Sequence, residues 1–192
     1  ADREVVMAAV KENGYALEYA SEALKADLKV VLVAVKEDGK ALKYASEALR
    51  ANEAIVTLAV QTDGLALEYA SEALRADREV VMVAANRNGH SLMYASDTLR
   101  ANPDFILGVV RYKSLIQYAS EALRADRKFI ISAVKKDGYA LKCVSDDFKR
   151  DREIVLTAVK SDGKALEYAS EALRADKDVV MAAVKENGWA LQ

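Results

Sequence analysis

A chain of 192 residues, 52% hydrophobic and 30% charged, has the balance of a folded protein rather than a disordered one. Its 30 acidic and 28 basic side chains leave a formal charge of −2, which gives no bulk attraction to nucleic acid or to an anionic membrane. One cysteine, Cys143, and one histidine, His90, exclude an internal disulfide and a zinc site of thiolates and imidazoles, and leave the redox compartment open. No apolar run approaches the ~20 residues a membrane span needs, and the first residues show no secretory signal pattern.

The chain repeats itself. Tyr-Ala-Ser-Glu-Ala-Leu-Lys/Arg occupies residues 19–25, 44–50, 69–75, 118–124 and 168–174, with altered copies at 94–100 and 143–149. The period is 25 residues with one slip to 24, and it sets repeats at 1–25, 26–50, 51–75, 76–100, 101–124, 125–149, 150–174 and a partial 175–192. Fixed-period self-similarity marks a stack of small units rather than a closed core.

The first repeat predicts two helices. Asp2 is placed as an N-cap, and Asp or Asn holds that position at Asp27, Asn52, Asp77, Asn102, Asp126, Asp151 and Asp176. A helix then runs to about Asn13 with Val5, Val6, Ala9 and Val10 on its apolar stripe, and Gly14 is read as its C-terminal stop. A second helix is expected over residues 15–24, burying Ala16, Leu17, Ala20, Ala23 and Leu24. Helices of ~10 residues do not persist alone, so each must pack on its partner and on the next repeat. The expected fold class is all-α, an α-solenoid (superhelical stack) of short two-helix repeats. With helix layers ~8–10 Å apart, the stack would be roughly 60–80 Å long.

Three rows recur at the period. Tyr19, Tyr44, Tyr69, Tyr94, Tyr118 and Tyr168 are read as inter-repeat packing in preference to a base-stacking platform for single-stranded RNA. Ser21, Ser46, Ser71, Ser96, Ser120, Ser145 and Ser170 are read as mid-helix hydrogen-bonding residues, since a nucleophile would need a partnering base in each repeat. Acidic residues from Glu22 to Glu171 precede by three positions basic residues from Lys25 to Arg174, which predicts weak ion pairs and a cancelled field.

The pattern breaks in the middle. Repeat five is one residue short, lacks the turn glycine around Tyr112, and carries Gly108 inside its first helix. Repeat six has Cys143 for the ladder tyrosine, Asp147 for alanine and Phe148 for leucine, while Phe105 and Phe129 enter the first-helix core. His90 and Met93 sit nearby on an otherwise polar side. Compensation for the shortened turn is one explanation. The other is a partner-binding patch comprising His90, Met93, Tyr112, Cys143 and Asp147. The first-helix positions facing away from the stripe also vary: Glu4, Ala8 and Lys11 become Lys29, Val33 and Lys36, then Ala54, Leu58 and Gln61.

With these residues in register, Asp2 to Leu24 and Asp151 to Leu173 above all, the chain resembles the tandem-repeat family of unknown function numbered 4116. The resemblance implies the repeat unit and no chemistry. No nucleophile–base pair, metal set or cofactor motif is found, so neither enzyme activity nor a cofactor is expected. The sequence points to a non-enzymatic scaffold or protein-interaction module, with protein partners or neighbouring repeats of a longer array covering its uncapped ends. A single-stranded nucleic-acid binder and a passive spacer are the alternatives.

Overall fold

The computed structural model describes residues 2–109 and 115–187. All regular structure among them is helical, with no strand. They fall into two compact halves, Ala1–Leu99 and Arg100–Gln192.

The long helices begin where the caps place them. In the amino-terminal half they are Arg3–Glu12, Leu28–Glu37, Glu53–Thr62 and Arg78–Arg87. In the other half they are Pro103–Val109, Arg127–Lys136, Arg152–Ser161 and Lys177–Glu186. Asp27 is typical: its Oδ1 accepts from the N–H groups of Lys29 at 2.8 Å and Val30 at 3.1 Å. These are orphan donors of the first turn, and satisfying them adds about 1 kcal/mol of helix stability. Within each half successive long helices lie side by side. The inner helices bury the whole stripe, as Val30, Val31, Ala34 and Val35 do in the second; the first buries only Val6 and Val10, leaving the predicted Val5 and Ala9 exposed where no described repeat precedes them. Phe105 and Phe129 enter this core in place of valine, as expected.

The second helix of each repeat is not one helix. Residues Gly14–Tyr19 form a 3₁₀ helix, Ala20 and Ser21 are extended, and Glu22–Lys25 make a single α-turn. A 3₁₀ helix has three residues per turn, so residues three apart share a side. Gly14, Leu17 and Ala20 are buried at that spacing, as are Gly39, Leu42 and Ala45. The 3₁₀ helix starts from a side-chain cap: Asn13 Oδ1 accepts from the Tyr15 N–H at 2.9 Å, and Asp38, Asp63, Asn88, Asp137 and Asp162 do the same in their repeats.

The serine reading changes with it. Ser21 and its equivalents are not mid-helix. They are N-caps of the short helix, and Oγ of Ser46, Ser71, Ser96 and Ser120 accepts from the leucine N–H three residues on at 3.3–3.4 Å. The bond between repeats comes from the serine backbone. Ser46 N–H donates to the Lys25 carbonyl at 2.9 Å, Ser71 to Arg50 at 2.9 Å and Ser96 to Arg75 at 2.8 Å. In the carboxy-terminal half Ser120 donates to Arg100 at 2.8 Å and Ser170 to Lys149 at 3.0 Å.

The glycine has a different purpose from a left-handed stop. Asn13 closes the helix in an extended conformation, φ −153° and ψ 111°. Gly14 is needed because the next repeat comes close: a Cβ there would stand 2.4 Å from the Ala34 carbonyl oxygen. Gly39, Gly64, Gly138 and Gly163 repeat this relation with Ala59, Ala84, Ala158 and Ala183.

Candidate interaction surface

Three surfaces recur from repeat to repeat within each half. The first is the layer of 3₁₀ helices. Tyr44, Tyr69, Tyr94, Tyr118 and Tyr168 are half-buried, while Tyr19 is 84% exposed. Tyr15 meets Tyr44 edge-on at 6.1 Å, and Tyr139 meets Tyr168 edge-on at 5.2 Å. These are inter-repeat contacts of the favoured T-shaped kind. Burial first, then a hydrogen bond to Glu18, raises the Tyr44 phenol above its ordinary value. Tyr139 is lowered, because its oxygen accepts from Lys142 Nζ at 2.9 Å and from Tyr168. The same exchange, after burial, raises Tyr168.

His90 and Met93 lie on this layer, three residues apart in the 3₁₀ helix Gly89–Tyr94. Both are exposed, and that spacing puts them on one side of the helix. Cys143 is half-buried at the end of the 3₁₀ helix Gly138–Cys143. Asp147 projects from the short helix that follows, its carboxylate 94% exposed and 3.5 Å from Arg150 Nη1. Tyr112 lies outside the described residues. His90 and Met93 therefore form one pair in the amino-terminal half, while Cys143 and Asp147 belong to the other.

The second surface carries the short helices. Two of the predicted i,i+3 pairs are Lys25 to Glu22 at 2.9 Å and Lys149 to Asp146 at 3.3 Å. Arg50 and Arg75 instead form no ion pair among the described residues, and their Nε atoms are buried without a hydrogen-bond partner. Field cancellation by pairing therefore fails at these two arginines.

The third surface is the outer face of the long helices, where the variable row falls. Glu4, Ala8, Lys11, Lys29, Lys36, Ala54 and Gln61 are exposed, and Val33 and Leu58 half-buried. Beside it lies an apolar row that the sequence does not announce: Met7, Leu32 and Met82 in the amino-terminal half, and Leu107, Ile131, Leu156 and Met181 in the other, all at least partly exposed. A single such residue in every repeat but the third, where Thr57 stands instead, is invisible to a helix-by-helix reading and shows only when repeats are aligned. At the N-terminal edge of this face arginines cross to the next repeat. Arg3 Nε reaches Asp27 Oδ2 at 3.0 Å, and Arg127 reaches Asp151 at 2.9 Å and Glu153 at 2.6 Å.

This register accounts for how the chain compares with other sequences. The family described as Domain of unknown function (DUF4116) matches residues 2–50, 52–100, 102–149 and 151–192. The chain belongs to this family. No curated protein and no solved structure matches the chain. Each DUF4116 match opens on an N-cap, at Asp2, Asn52, Asn102 or Asp151; the first three span 48 or 49 residues and take in two structural repeats, and the fourth takes in one and the partial last. The first holds one whole stacking interface: Gly14 under Ala34, Ser46 N–H on the Lys25 carbonyl, and Arg3 on Asp27. A single 25-residue repeat would hold only half of each contact. No helix among the described residues is long and apolar enough to cross a membrane.

Proposed function

We infer that this DUF4116 array is a non-enzymatic scaffold that binds other proteins on the outer face of its long helices. The observation that carries the reading is a division of labour within each repeat. Asp27, Gly39, Ser46 and Tyr44 are committed to caps and inter-repeat contacts. The residues free to differ, such as Lys11, Lys36 and Gln61, are exposed on one face. Stacked repeats present extended binding surfaces in this way. A base-stacking role fits less well, since the ladder rings after Tyr19 are half-buried and Tyr44 and Tyr168 are met edge-on by the preceding repeat.

The test is affinity capture on immobilised full chain from an extract of the source organism, with free chain as competitor. A protein retained and then displaced by competitor supports the reading. Retention of nucleic acid alone, falling steeply with salt, overturns it.

A further inference from the structure

In the carboxy-terminal half the outer face has a specific charge pattern. Ile131 and Lys135 lie on helix Arg127–Lys136, Leu156 and Lys160 on Arg152–Ser161, and Met181 and Lys185 on Lys177–Glu186. In each helix the lysine follows the apolar residue by four positions, so the two share one face, one turn apart. Successive helices lie side by side, so an apolar row and a lysine row run in parallel across the three. Ile131 and Leu156 are half-buried and Met181 is 48% exposed.

The acidic groups of this face are already engaged. Glu153 pairs with Arg127 at 2.6 Å, and Asp178 with Arg152 at 2.7 Å. The N-cap carboxylates Asp151 and Asp176 take the same two arginines. Lys135, Lys160 and Lys185 are exposed and form no ion pair among the described residues. Glu186, next to Lys185 at the helix end, only partly offsets them. The uncompensated charge beside the apolar row is positive. In the amino-terminal half Lys11 and Lys36 hold the matching positions in the first two repeats, and Gln61 and Asn86 replace lysine in the next two, so three successive apolar–lysine pairs occur only in the carboxy-terminal half among the described residues.

We propose that the face carrying Ile131, Leu156, Met181, Lys135, Lys160 and Lys185 docks an acidic amphipathic helix of a partner protein, laid across the three long helices. The proposal rests on the interaction-module reading and gives it a surface and a partner chemistry. Packed helices are separated by ~8–10 Å. Residues seven apart on a partner helix are separated by ~10.5 Å along its axis, so apolar residues at heptad spacing meet one apolar residue per repeat. Acidic residues on the flank of the same helix meet the lysine row. A lipid surface fits less well, because Ile131 and Leu156 are half-buried between neighbours and do not project as membrane-inserting side chains would.

Selection from two displayed libraries of 20-residue helices tests this on the full chain. Both fix leucine at heptad positions. One fixes glutamate and the other lysine on the flank, and the remaining positions are random. The proposal expects enrichment from the acidic library and binding of the selected peptides at least tenfold weaker to Lys135→Glu/Lys160→Glu/Lys185→Glu. The same variant should select from the basic library instead. Lys164→Glu, on the 3₁₀ layer, should leave binding unchanged, and circular dichroism should show both variants folded. Enrichment without charge preference overturns the proposal, as does binding that survives the triple reversal. Lysine-dependent binding to vesicles containing phosphatidylserine, with no peptide enriched, overturns it in favour of a lipid surface. A captured protein that still binds the triple variant sinks this surface while leaving the interaction reading in place; failure to capture any protein sinks the reading itself.

Discussion

Gly39 lies so close beneath Ala59 that a Cβ added to it would stand 2.3 Å from the Ala59 carbonyl oxygen and 2.8 Å from the Asp63 amide nitrogen. Both obstacles are backbone of the neighbouring repeat, so neither can swing aside as a side chain would. Gly39→Ala must push two repeats apart. We expect a loss of about 3 kcal/mol, at the upper end of overpacking costs, measured by urea denaturation.

The opposite sign is expected at Gly108. This glycine is exposed and lies within the helix Pro103–Val109. Gly108→Ala gains helix propensity and should stabilise the chain by about 1 kcal/mol in the same assay. The two substitutions together separate a glycine demanded by close approach from one that is merely tolerated.

Ser71 makes two bonds that substitution can divide. Its Oγ accepts from Leu74 N–H at 3.4 Å, and its own N–H donates to the Arg50 carbonyl at 2.9 Å. Ser71→Ala removes only the cap and should cost about 1 kcal/mol or less, the bond being long. Ser71→Pro also removes the N–H. The backbone accepts the ring, since Ser71 has φ −58° and Ala70 is extended at φ −69° and ψ 155°. The additional loss, about 1–3 kcal/mol for the orphaned carbonyl, reports the rung between repeats. Equal stability of the two variants in urea would show that the rung contributes nothing.

Acid should weaken the array through its N-cap carboxylates. Asp151 is held below the usual carboxylate range first by its hydrogen bond from Arg127 and then by the Ile154 and Glu153 amides, against the opposing effect of burial. Asp27 is lowered first by Arg3, and Asp176 first by the Val179 amide. A carboxylate whose folded value is depressed stabilises the fold above its unfolded pKa of about 4, and that contribution is lost as pH falls through the folded value. Arg127→Gln should therefore shift the Asp151 titration upward, read from its carboxyl carbon resonance, and leave Asp27 unmoved. An Asp151 titration that does not shift would contradict this account of the pair.

Much of this was legible in sequence. Asp2 through Asp176 read as N-caps because a short polar side chain before an apolar run has one common use, and the stripe from Val30 to Val35 follows helical spacing. The 3₁₀ segment was misread because residues 15–24 contain good α-formers and satisfy a helical wheel. The competing signal was the three-residue spacing of Gly14, Leu17 and Ala20, together with an Asn before the glycine and a serine at the break. Gly14 reads as a helix stop in the sequence because its actual reason, the Ala34 carbonyl, lies twenty residues away in the next repeat. Of the candidate surface residues, His90, Met93 and Asp147 are exposed and Cys143 is half-buried, and the row from Ile131 to Met181 becomes visible only with the helices side by side.

The central claim is that conserved geometry holds the stack while the outer face of the long helices meets the partner. The most direct measurement is the affinity of a captured partner for two folded variants of the full chain. One carries Lys135→Glu, Leu156→Ser and Lys160→Glu on the outer face. The other carries Glu47→Lys and Glu72→Lys on the short helices. The account predicts a loss of tenfold or more for the first and little change for the second. The reverse order would contradict it and move the binding surface to the short-helix edge.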